Sequence, residues 1–537
     1  MSRGGISRSL IICSLALFLI QPAARAEEEK FGEVNFPISC SAAAQTQFNH
    51  AVAMLHSFFF PETVKAFTAI AKAEPSCAMA YWGVAISQRP NPLVAPFPPE
   101  VMRKGWEAIE AGRAAGAKTP RERQWIEALA VFFKDYDKVD LRTRTLAYES
   151  AMAQLSARYP DDDEAAIFYA LALNEAVDLN DKTFARQFKA ASILQGLEAR
   201  HPNHPGIPHY IIHSYDFAAI CQQGLPAARR YADLSPSAPH ALHMPSHTFS
   251  MLGLWEESIA ANWKTVAAGK EYAAKNNLDG IYPADPHSYD FIQYAYLQLG
   301  QDGKAKSLME EVGDIRKVFS PRLTSDTALA AVPARYMLER QDWRGAAGLL
   351  VPATVNAAPA KAIIHFARAI GAARSGDFGA TQADIEKLKE LSAELAKTNQ
   401  PYWAGQVDLQ ILAAQAWLAY GQGNKAEAVT LMRAAADLED KSEKHVAMEN
   451  RLYPMRELLA DLLLAQGQSA AALTEYETSM KNTPERLRVF YGAAKAAEAL
   501  GDKEMAAQYF QKLMRLTQNA DSDRPEIREA KQFAAAR

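Results

Sequence analysis

The sequence of 537 residues predicts an all-α fold organised as a helical-repeat solenoid. Over long segments apolar residues recur at helical spacing, and no segment shows the two-residue alternation typical of a β-strand. Alanine, leucine, glutamate, glutamine and lysine dominate these segments, and all of them favour helix. A glycine, a small residue and an aromatic residue also recur 34 residues apart near the C-terminus. These pairs are Gly467 and Gly501, Ala472 and Ala506, and Tyr476 and Phe510.

The composition excludes several classes of protein. Hydrophobic residues make up 49% of the chain and charged residues 22%, which is typical of a globular protein rather than a disordered one. The 58 lysines and arginines do not outnumber the 62 aspartates and glutamates, so nucleic acid is not an expected partner. Four cysteines are too few for a scaffold held together by disulfides.

The N-terminal segment has the order of features of a secretory signal peptide. Arg3 and Arg8 precede the apolar run 10–20, and Ala24 and Ala26 flank an A-x-A cleavage site. The run of 11 apolar residues is too short to cross a bilayer, so the mature chain is expected to contain no transmembrane segment. We therefore predict removal of residues 1–26 and export to the periplasm or the cell exterior.

The C-terminal repeat is similar to a known family. In each unit a small residue is followed four positions later by an aromatic residue, and Pro484 closes the first unit. The small residue lets two helices approach, the aromatic ring fills the gap, and proline stops the second helix. This pattern resembles the tetratricopeptide repeat superfamily, and weaker copies extend over nearly the whole mature chain. The resemblance implies a right-handed solenoid of roughly nine or ten degenerate helix–turn–helix units, which commonly binds a protein or peptide partner.

Three stretches carry a looser likeness. Residues 48–67, 77–87 and 240–259 are similar to a group of secreted bacterial tetratricopeptide proteins without an assigned activity. This likeness covers much of the chain but implies no catalytic role for any residue.

Interruptions of the repeats predict how the chain is divided. Segment 88–100 contains five prolines and is predicted to be an extended loop, and segment 351–360 also interrupts the helical pattern. After the signal peptide we predict an N-terminal lobe that carries a histidine-rich groove, an irregular link with a degenerate repeat, and a C-terminal lobe. These parts cover residues 27–318, 319–360 and 361–537.

The histidines are concentrated in one part of the sequence. Eight of the 12 fall within residues 201–287, and four of these form two H-x3-H pairs. The pairs are His209 with His213 and His243 with His247. Both members of the second pair follow their counterparts by 34 residues, so the pairs occupy equivalent places in consecutive repeats. Residues four apart share one face of a helix, so each pair can present two imidazoles to one ligand.

The resemblance to the tetratricopeptide repeat indicates where these pairs point. In that family, positions 5 and 9 of the first helix commonly line the concave groove, and both histidine pairs fall at these positions. The next unit would add His287 at position 2, Asp290 at position 5 and Tyr294 at position 9, and His240 would sit near them. Imidazole and carboxylate are usual ligands of zinc, copper, iron and nickel. We therefore predict one divalent transition metal, and no organic cofactor. Its expected ligands are His209, His213, His243 and His247, with His287 or Asp290 completing the set.

Other interpretations of the histidines remain open at this stage. The same patch could bind a small polar or anionic ligand, or the imidazoles could serve only as structural hydrogen-bonding groups. His201 and His204, in a proline-rich turn, are expected to be solvated, and His56 is expected to cap a helix end. Three functions follow: an exported scaffold or binding protein with a metal site, a metal-dependent enzyme that uses Asp290 or Tyr294 as general acid–base, or a metal-free module that binds peptides or assembles proteins.

The cysteines of the mature chain suggest one disulfide. Cys77 directly precedes a predicted first helix, and Cys40 lies three positions from the equivalent place one repeat earlier. Export would permit a bridge between them, and two buried free thiols are the alternative.

Overall fold

The computed structural model describes Met1, residues 29–522 and residues 524–535. The predicted signal peptide lies outside the described residues, apart from Met1. The first half of the chain forms helices α1 (Ala42–His56), α2 (Phe60–Ala73), α3 (Ala78–Ser87), α4 (Pro99–Ala115), α5 (Pro120–Phe133), α6 (Leu141–Arg158), α7 (Asp163–Glu175), α8 (Ala185–Glu198), α9 (Gly206–Ser214), α10 (Leu225–Leu234), α11 (Pro239–His243), α12 (Pro245–Met251) and α13 (Trp255–Lys275).

The second half continues the same helical pattern. Its helices are α14 (Ala284–Gln298), α15 (Asp302–Gly313), α16 (Leu323–Glu339), α17 (Trp343–Ala347), α18 (Ala358–Ser375), α19 (Phe378–Lys397), α20 (Pro401–Gly421), α21 (Lys425–Glu439), α22 (Met455–Ala465), α23 (Ser469–Asn482), α24 (Leu487–Ala499), α25 (Lys503–Leu516) and α26 (Pro525–Ala535). A short 3-10 helix, Cys221–Gly224, precedes α10. The described residues contain no β-strand, so the predicted all-α class is confirmed.

Consecutive helices pack in pairs, and the first helices of successive pairs contact one another along most of the chain. This is the packing of a helical-repeat solenoid, in which each unit covers the apolar face of the next. Within the described residues there are twelve pairs, more than the nine or ten predicted. The pair α3–α4 ends at Gly116 rather than at a proline, and in the pair α16–α17 the second helix has only five residues. Neither carries the full sequence signature.

Contacts between aromatic rings and glycines show why the repeat needs small residues. A Cβ atom at Gly83 of α3 would lie 2.2 Å from the ring of Phe67 on α2. The same relation joins Gly492 of α24 to Tyr476 of α23, again at 2.2 Å. Because no side chain fits at such distances, glycine permits the aromatic residue of one unit to pack on the first helix of the next.

Two segments are predicted to interrupt the repeats. Residues 88–98 form a loop between α3 and α4, and α4 begins at Pro99. Residues 319–360, predicted to be an irregular link with a degenerate repeat, contain the 17-residue helix α16, which packs between α14 and α18, and the five-residue helix α17. The two main apolar cores include residues from Phe31 to Tyr282 and from Val266 to Ala530, so they meet around α13 and α14. The division of the chain into lobes stays a prediction.

A disulfide joins Cys40 to Cys77, with the two Cα atoms 5.4 Å apart. It ties the segment before α1 to the start of α3, so the bridge that the repeat register suggested is present. No helix among the described residues is both long and apolar enough to cross a membrane.

Candidate metal centre

Three consecutive first helices bring six histidines together. Helix α9 carries His209 and His213, α11 and α12 together carry His240, His243 and His247, and α14 carries His287. Met244 joins α11 to α12 with helical backbone angles, so these two short helices act as one first helix. Helices α9 and α14 each contact α12, and the ring centres of His213 and His247 lie 6.3 Å apart, so the two H-x3-H pairs meet.

Two triads of histidines result, rather than the single set that the sequence predicts. The first triad consists of His209, His213 and His240. The Nε2 atom of His209 lies 3.1 Å from Nε2 of His213 and 3.2 Å from Nε2 of His240. All three side chains offer a ring nitrogen within 4.8 Å of the others.

The second triad consists of His243, His247 and His287 and has the same form. The Nε2 atoms of His243 and His247 are 3.1 Å apart, and the ring centre of His287 lies 4.8 Å from that of His243. The Nδ1 atom of His287 is buried and has no hydrogen-bond partner. Two nitrogens bound to one zinc ion at ~2.0–2.1 Å with tetrahedral angles are about 3.3 Å apart, so the observed separations suit a shared ion.

Both triads border one small cavity of about 50 Å³. His213 and His240 of the first triad line it, together with all three histidines of the second triad. A cavity needs about 10–15 Å³ of such space to hold one water, so this one has room for a few waters or one small ligand.

In His209, His243 and His247 the Nδ1 atom, on the side of the ring away from the triad, makes a hydrogen bond that requires a proton on Nδ1. Nδ1 of His209 lies 2.5 Å from the backbone carbonyl of His56, and Nδ1 of His243 lies 2.7 Å from Oδ1 of Asn262. Nδ1 of His247 lies 2.9 Å from the carboxylate of Asp216. All three partners are acceptors, so each Nδ1 must donate.

In their neutral form these rings carry a lone pair on the opposite nitrogen. In the second triad, Nε2 of His243 and Nε2 of His247 face each other across 3.1 Å. Metal-bound histidines almost always donate their other ring N–H to a carbonyl, an amide oxygen or a carboxylate, as His209, His243 and His247 do. This arrangement of ring nitrogens and hydrogen-bond acceptors thus fits a bound cation.

The surroundings keep most of these imidazoles neutral. Burial lowers the pKa of His209 and His243 to about 3. Burial, followed by the charges of neighbouring histidines, also lowers the pKa of His213, His240 and His287 well below its ordinary value. A metal ion requires neutral imidazole ligands, so the triads are prepared for one at neutral pH.

Asp290, the predicted alternative ligand, joins neither triad. Its carboxylate pairs with Arg335 of α16, with Oδ1 2.8 Å from Nε, and both side chains are buried. Tyr294, one turn further along α14, accepts a hydrogen bond of 2.5 Å from Arg486. Helix α14 is packed between neighbours on both sides, so these two residues face α16 and α24 while His287 faces the histidines. Neither stands where a general acid–base for the triads would be needed.

A third group of histidines is built differently. In this glutamate-centred group, Nε2 of His56 lies 3.0 Å and Nε2 of His204 lies 2.9 Å from the two carboxylate oxygens of Glu164. Tyr210 donates its hydroxyl hydrogen to Nδ1 of His56 at 2.8 Å, and the Gly206 amide donates to Nδ1 of His204 at 3.1 Å. Every ring nitrogen has a complementary partner, so the group is a complete hydrogen-bond network.

The glutamate stays charged in that network. Burial alone would raise the pKa of Glu164, but the charges of His204 and His56 outweigh it, so the pKa lies well below its ordinary range. His204 is buried, which contradicts the expectation of a solvated loop residue, whereas the partly exposed His201 pairs with Asp163. His56 is the last residue of α1, but Ser57 is the C-cap and the His56 ring binds Glu164 and Tyr210, so the expectation that His56 caps the helix end is wrong.

Sequence reasoning missed the outer contacts of the triads. Asp216 follows α9, and Asn262 lies on α13, the second helix of the next unit. Neither has a spacing that relates it to a histidine. Lys444, from the C-terminal half of the chain, lies 3.1 Å from the same Asp216 oxygen as His247, so the network includes a residue more than two hundred positions away.

Comparisons with known proteins find similar solved structures at low sequence identity. No family model matches it, and no curated protein matches it. The structure titled "Structure of Naa15/Naa10 bound to HypK-THB" is 11% identical, covers 92% of this chain and 91% of its own, and has a TM-score of 0.26. The structure titled "Crystal structure of APC/C hetero-tetramer Cut9-Hcn1" is 10% identical, covers 93% and 96%, and has a TM-score of 0.29. The repeat architecture described above rests on the chain's own helices.

Proposed function

We propose that this chain is an exported helical-repeat protein that binds divalent transition metal, with one ion in each histidine triad. The observation that carries the proposal is the 3.1 Å approach of Nε2 of His243 to Nε2 of His247, while each ring donates its Nδ1–H to an oxygen on its other side. Zinc, copper, iron and nickel all accept three imidazoles and keep a further position for another ligand.

Export has independent support. Disulfides persist mainly in oxidising compartments such as the periplasm and the cell exterior. The Cys40–Cys77 bridge therefore agrees with the predicted signal peptide of residues 1–26. A role as a scaffold for a protein or peptide partner is the second part of the proposal, because stacked helix pairs offer extended surfaces for binding.

Metal analysis of the purified protein tests the proposal. The protein should be exported in its host and purified without a histidine tag, and its metal content measured by mass spectrometry. We expect two equivalents of transition metal per chain. The double variant His213→Ala and His247→Ala removes one ligand from each triad and should reduce the metal content to background, with little change in helical content by circular dichroism.

A matched control uses histidines outside the triads. The double variant His201→Ala and His365→Ala removes two imidazoles that pair with aspartates nearer the surface, and its metal content should equal that of the wild type. The single variants His240→Ala and His287→Ala should each remove one equivalent. A wild type that is metal-free and shows no binding by calorimetry would contradict the proposal, as would full metal content in the first double variant.

A further inference from the structure

A larger cavity lies beside the triads and shares part of their lining. This cavity, here called the side chamber, has a volume of about 400 Å³. Loop residues 92–97, the start of α6, the end of α7 and residues 444–446 form its walls. His213 and Val446 line both the side chamber and the small cavity between the triads. A molecule in the chamber would therefore lie against His213, a member of the first triad.

The inner wall of the chamber holds two acceptor atoms without partners. Oε1 of Glu175 and Oδ1 of Asp216 are buried and make no hydrogen bond. The other oxygen of Glu175 binds Arg89 at 2.6 Å, and that of Asp216 binds His247 and Lys444. A buried acceptor left without a partner costs about 1–3 kcal/mol, so a ligand that donates to these oxygens would be favoured.

The rest of the lining is mixed but mainly apolar. Leu93, Phe97, Phe217 and Val446 contribute hydrophobic surface, and the exposed Arg142 stands at the outer end. Small-molecule sites of about 300–1,000 Å³ typically combine such walls with a few polar groups that fix orientation. The chamber has both features.

We propose that the side chamber binds a small molecule with an apolar body and an N–H or O–H donor, and directs it to the ion held by His209, His213 and His240. This inference rests on the proposed function, because the ion must be present for the molecule to reach it. It adds a class of ligand and an entry route to that site.

Cobalt substitution makes the inference testable. Cobalt(II) in a triad gives visible absorption bands that shift when a new ligand binds. Azide and 4-phenylimidazole serve as probes: azide is small enough to need no chamber, whereas 4-phenylimidazole combines an apolar ring, an N–H donor and a ligating nitrogen. We expect both to shift the bands of the wild-type cobalt protein.

The decisive variant narrows the chamber without touching the triads. Leu93→Trp places a large side chain in the loop wall and should weaken 4-phenylimidazole binding by roughly tenfold or more, with azide binding unchanged. Leu350→Trp, at a position 79% exposed and away from the chamber, is the matched control and should leave both probes unaffected. Leu179→Trp, at a position that lines the chamber but not the small cavity between the triads, is the second chamber variant, should Leu93→Trp fold poorly.

A further probe tests whether the ligand must donate a hydrogen bond. The probe 1-methyl-5-phenylimidazole keeps the apolar ring and the unhindered ligating nitrogen but has no N–H, so its binding should be about tenfold weaker. If no cobalt binds, the proposed function fails and the chamber inference fails with it. If cobalt and azide bind but both chamber variants retain 4-phenylimidazole affinity, or the methylated probe binds equally well, the chamber inference alone is overturned.

Discussion

Two kinds of buried histidine group lie beside helix α9, and they satisfy their ring nitrogens in opposite ways. In the glutamate-centred group, Glu164 accepts from two imidazoles, and their other nitrogens accept from Tyr210 and Gly206. In the triads, Nδ1 of three rings donates to an oxygen while the Nε2 atoms face one another. Both kinds are buried, so burial does not separate them.

The comparison teaches that the partner of the second nitrogen distinguishes a structural histidine from a candidate ligand. His56 shows this most directly, because its ring belongs to the glutamate-centred group while its backbone carbonyl orients His209 of the first triad. The structural group thus holds part of the frame on which the triad depends. The following predictions separate the two roles.

The largest expected effect comes from breaking the structural group. Glu164→Ala leaves His56 and His204 buried without their acceptor, and removing one partner of a buried charged network typically costs about 3–5 kcal/mol. Thermal unfolding followed by circular dichroism should show a large drop in midpoint. The control is Asp163→Ala, the neighbouring carboxylate, which pairs with the partly exposed His201 and should cost less than about 1 kcal/mol. Equal losses would contradict the assignment.

The second prediction concerns the second triad. Zinc at about 1,000 times its dissociation constant should stabilise the wild type by about 4 kcal/mol for each triad, because it binds the folded chain in preference to the unfolded one. The double variant His243→Ala and His247→Ala should lose the share of this gain that comes from its triad, as measured by the zinc-dependent shift in unfolding midpoint. Glu164→Ala should keep the shift although it starts from a lower midpoint. If both variants lost the zinc-dependent shift, the glutamate-centred group and the second triad would not have separate roles.

A smaller effect is expected from the outer contacts. Asn262→Ala removes the acceptor of His243 Nδ1–H and should weaken metal binding in the second triad by about 10–100-fold, because the ring loses its orientation and its tautomer. Competition with a chromophoric chelator measures this. Tyr210→Phe, which removes a hydroxyl from the glutamate-centred group, should leave metal affinity unchanged. Unaltered affinity in Asn262→Ala would argue against a metal at Nε2.

The smallest expected effect, per pH unit, is the decrease in the free energy of unfolding of the metal-free protein in acid. The pKa of His209 and His243 is about 3 in the folded chain, against about 6.5 when unfolded. Between these values the unfolded state binds more protons, so the free energy of unfolding falls as the pH decreases. The fall should reach about 1.4 kcal/mol per pH unit for each histidine. Urea unfolding between pH 7 and pH 4 measures it, and His243→Ala should show a shallower slope. Identical slopes would rule out a neutral buried imidazole at 243.

Much of the fold follows from the sequence alone. Helical periodicity and the 34-residue register are local properties, so they predict paired helices and the equivalence of His209 with His243 and of His213 with His247. The same register placed Cys40 near Cys77. The predicted nine or ten units fall short of the twelve pairs among the described residues, and pairs without a closing proline, such as α3–α4, lack the full signature.

The composition of the site depended on tertiary structure. Contacts between helices decide that His240 and His287 complete two separate triads, and that Asp290 turns to Arg335 instead. Asp216 and Asn262, the acceptors that fix the tautomers, lie outside the histidine helices. No regular spacing in the sequence relates them to the histidines. The sequence determined which histidines share a helix face, because that needs only the rise and turn of an α-helix. Only the packing of those helices against one another decided which nitrogens meet, because a one-residue rotation of a helix moves a side chain by several ångströms.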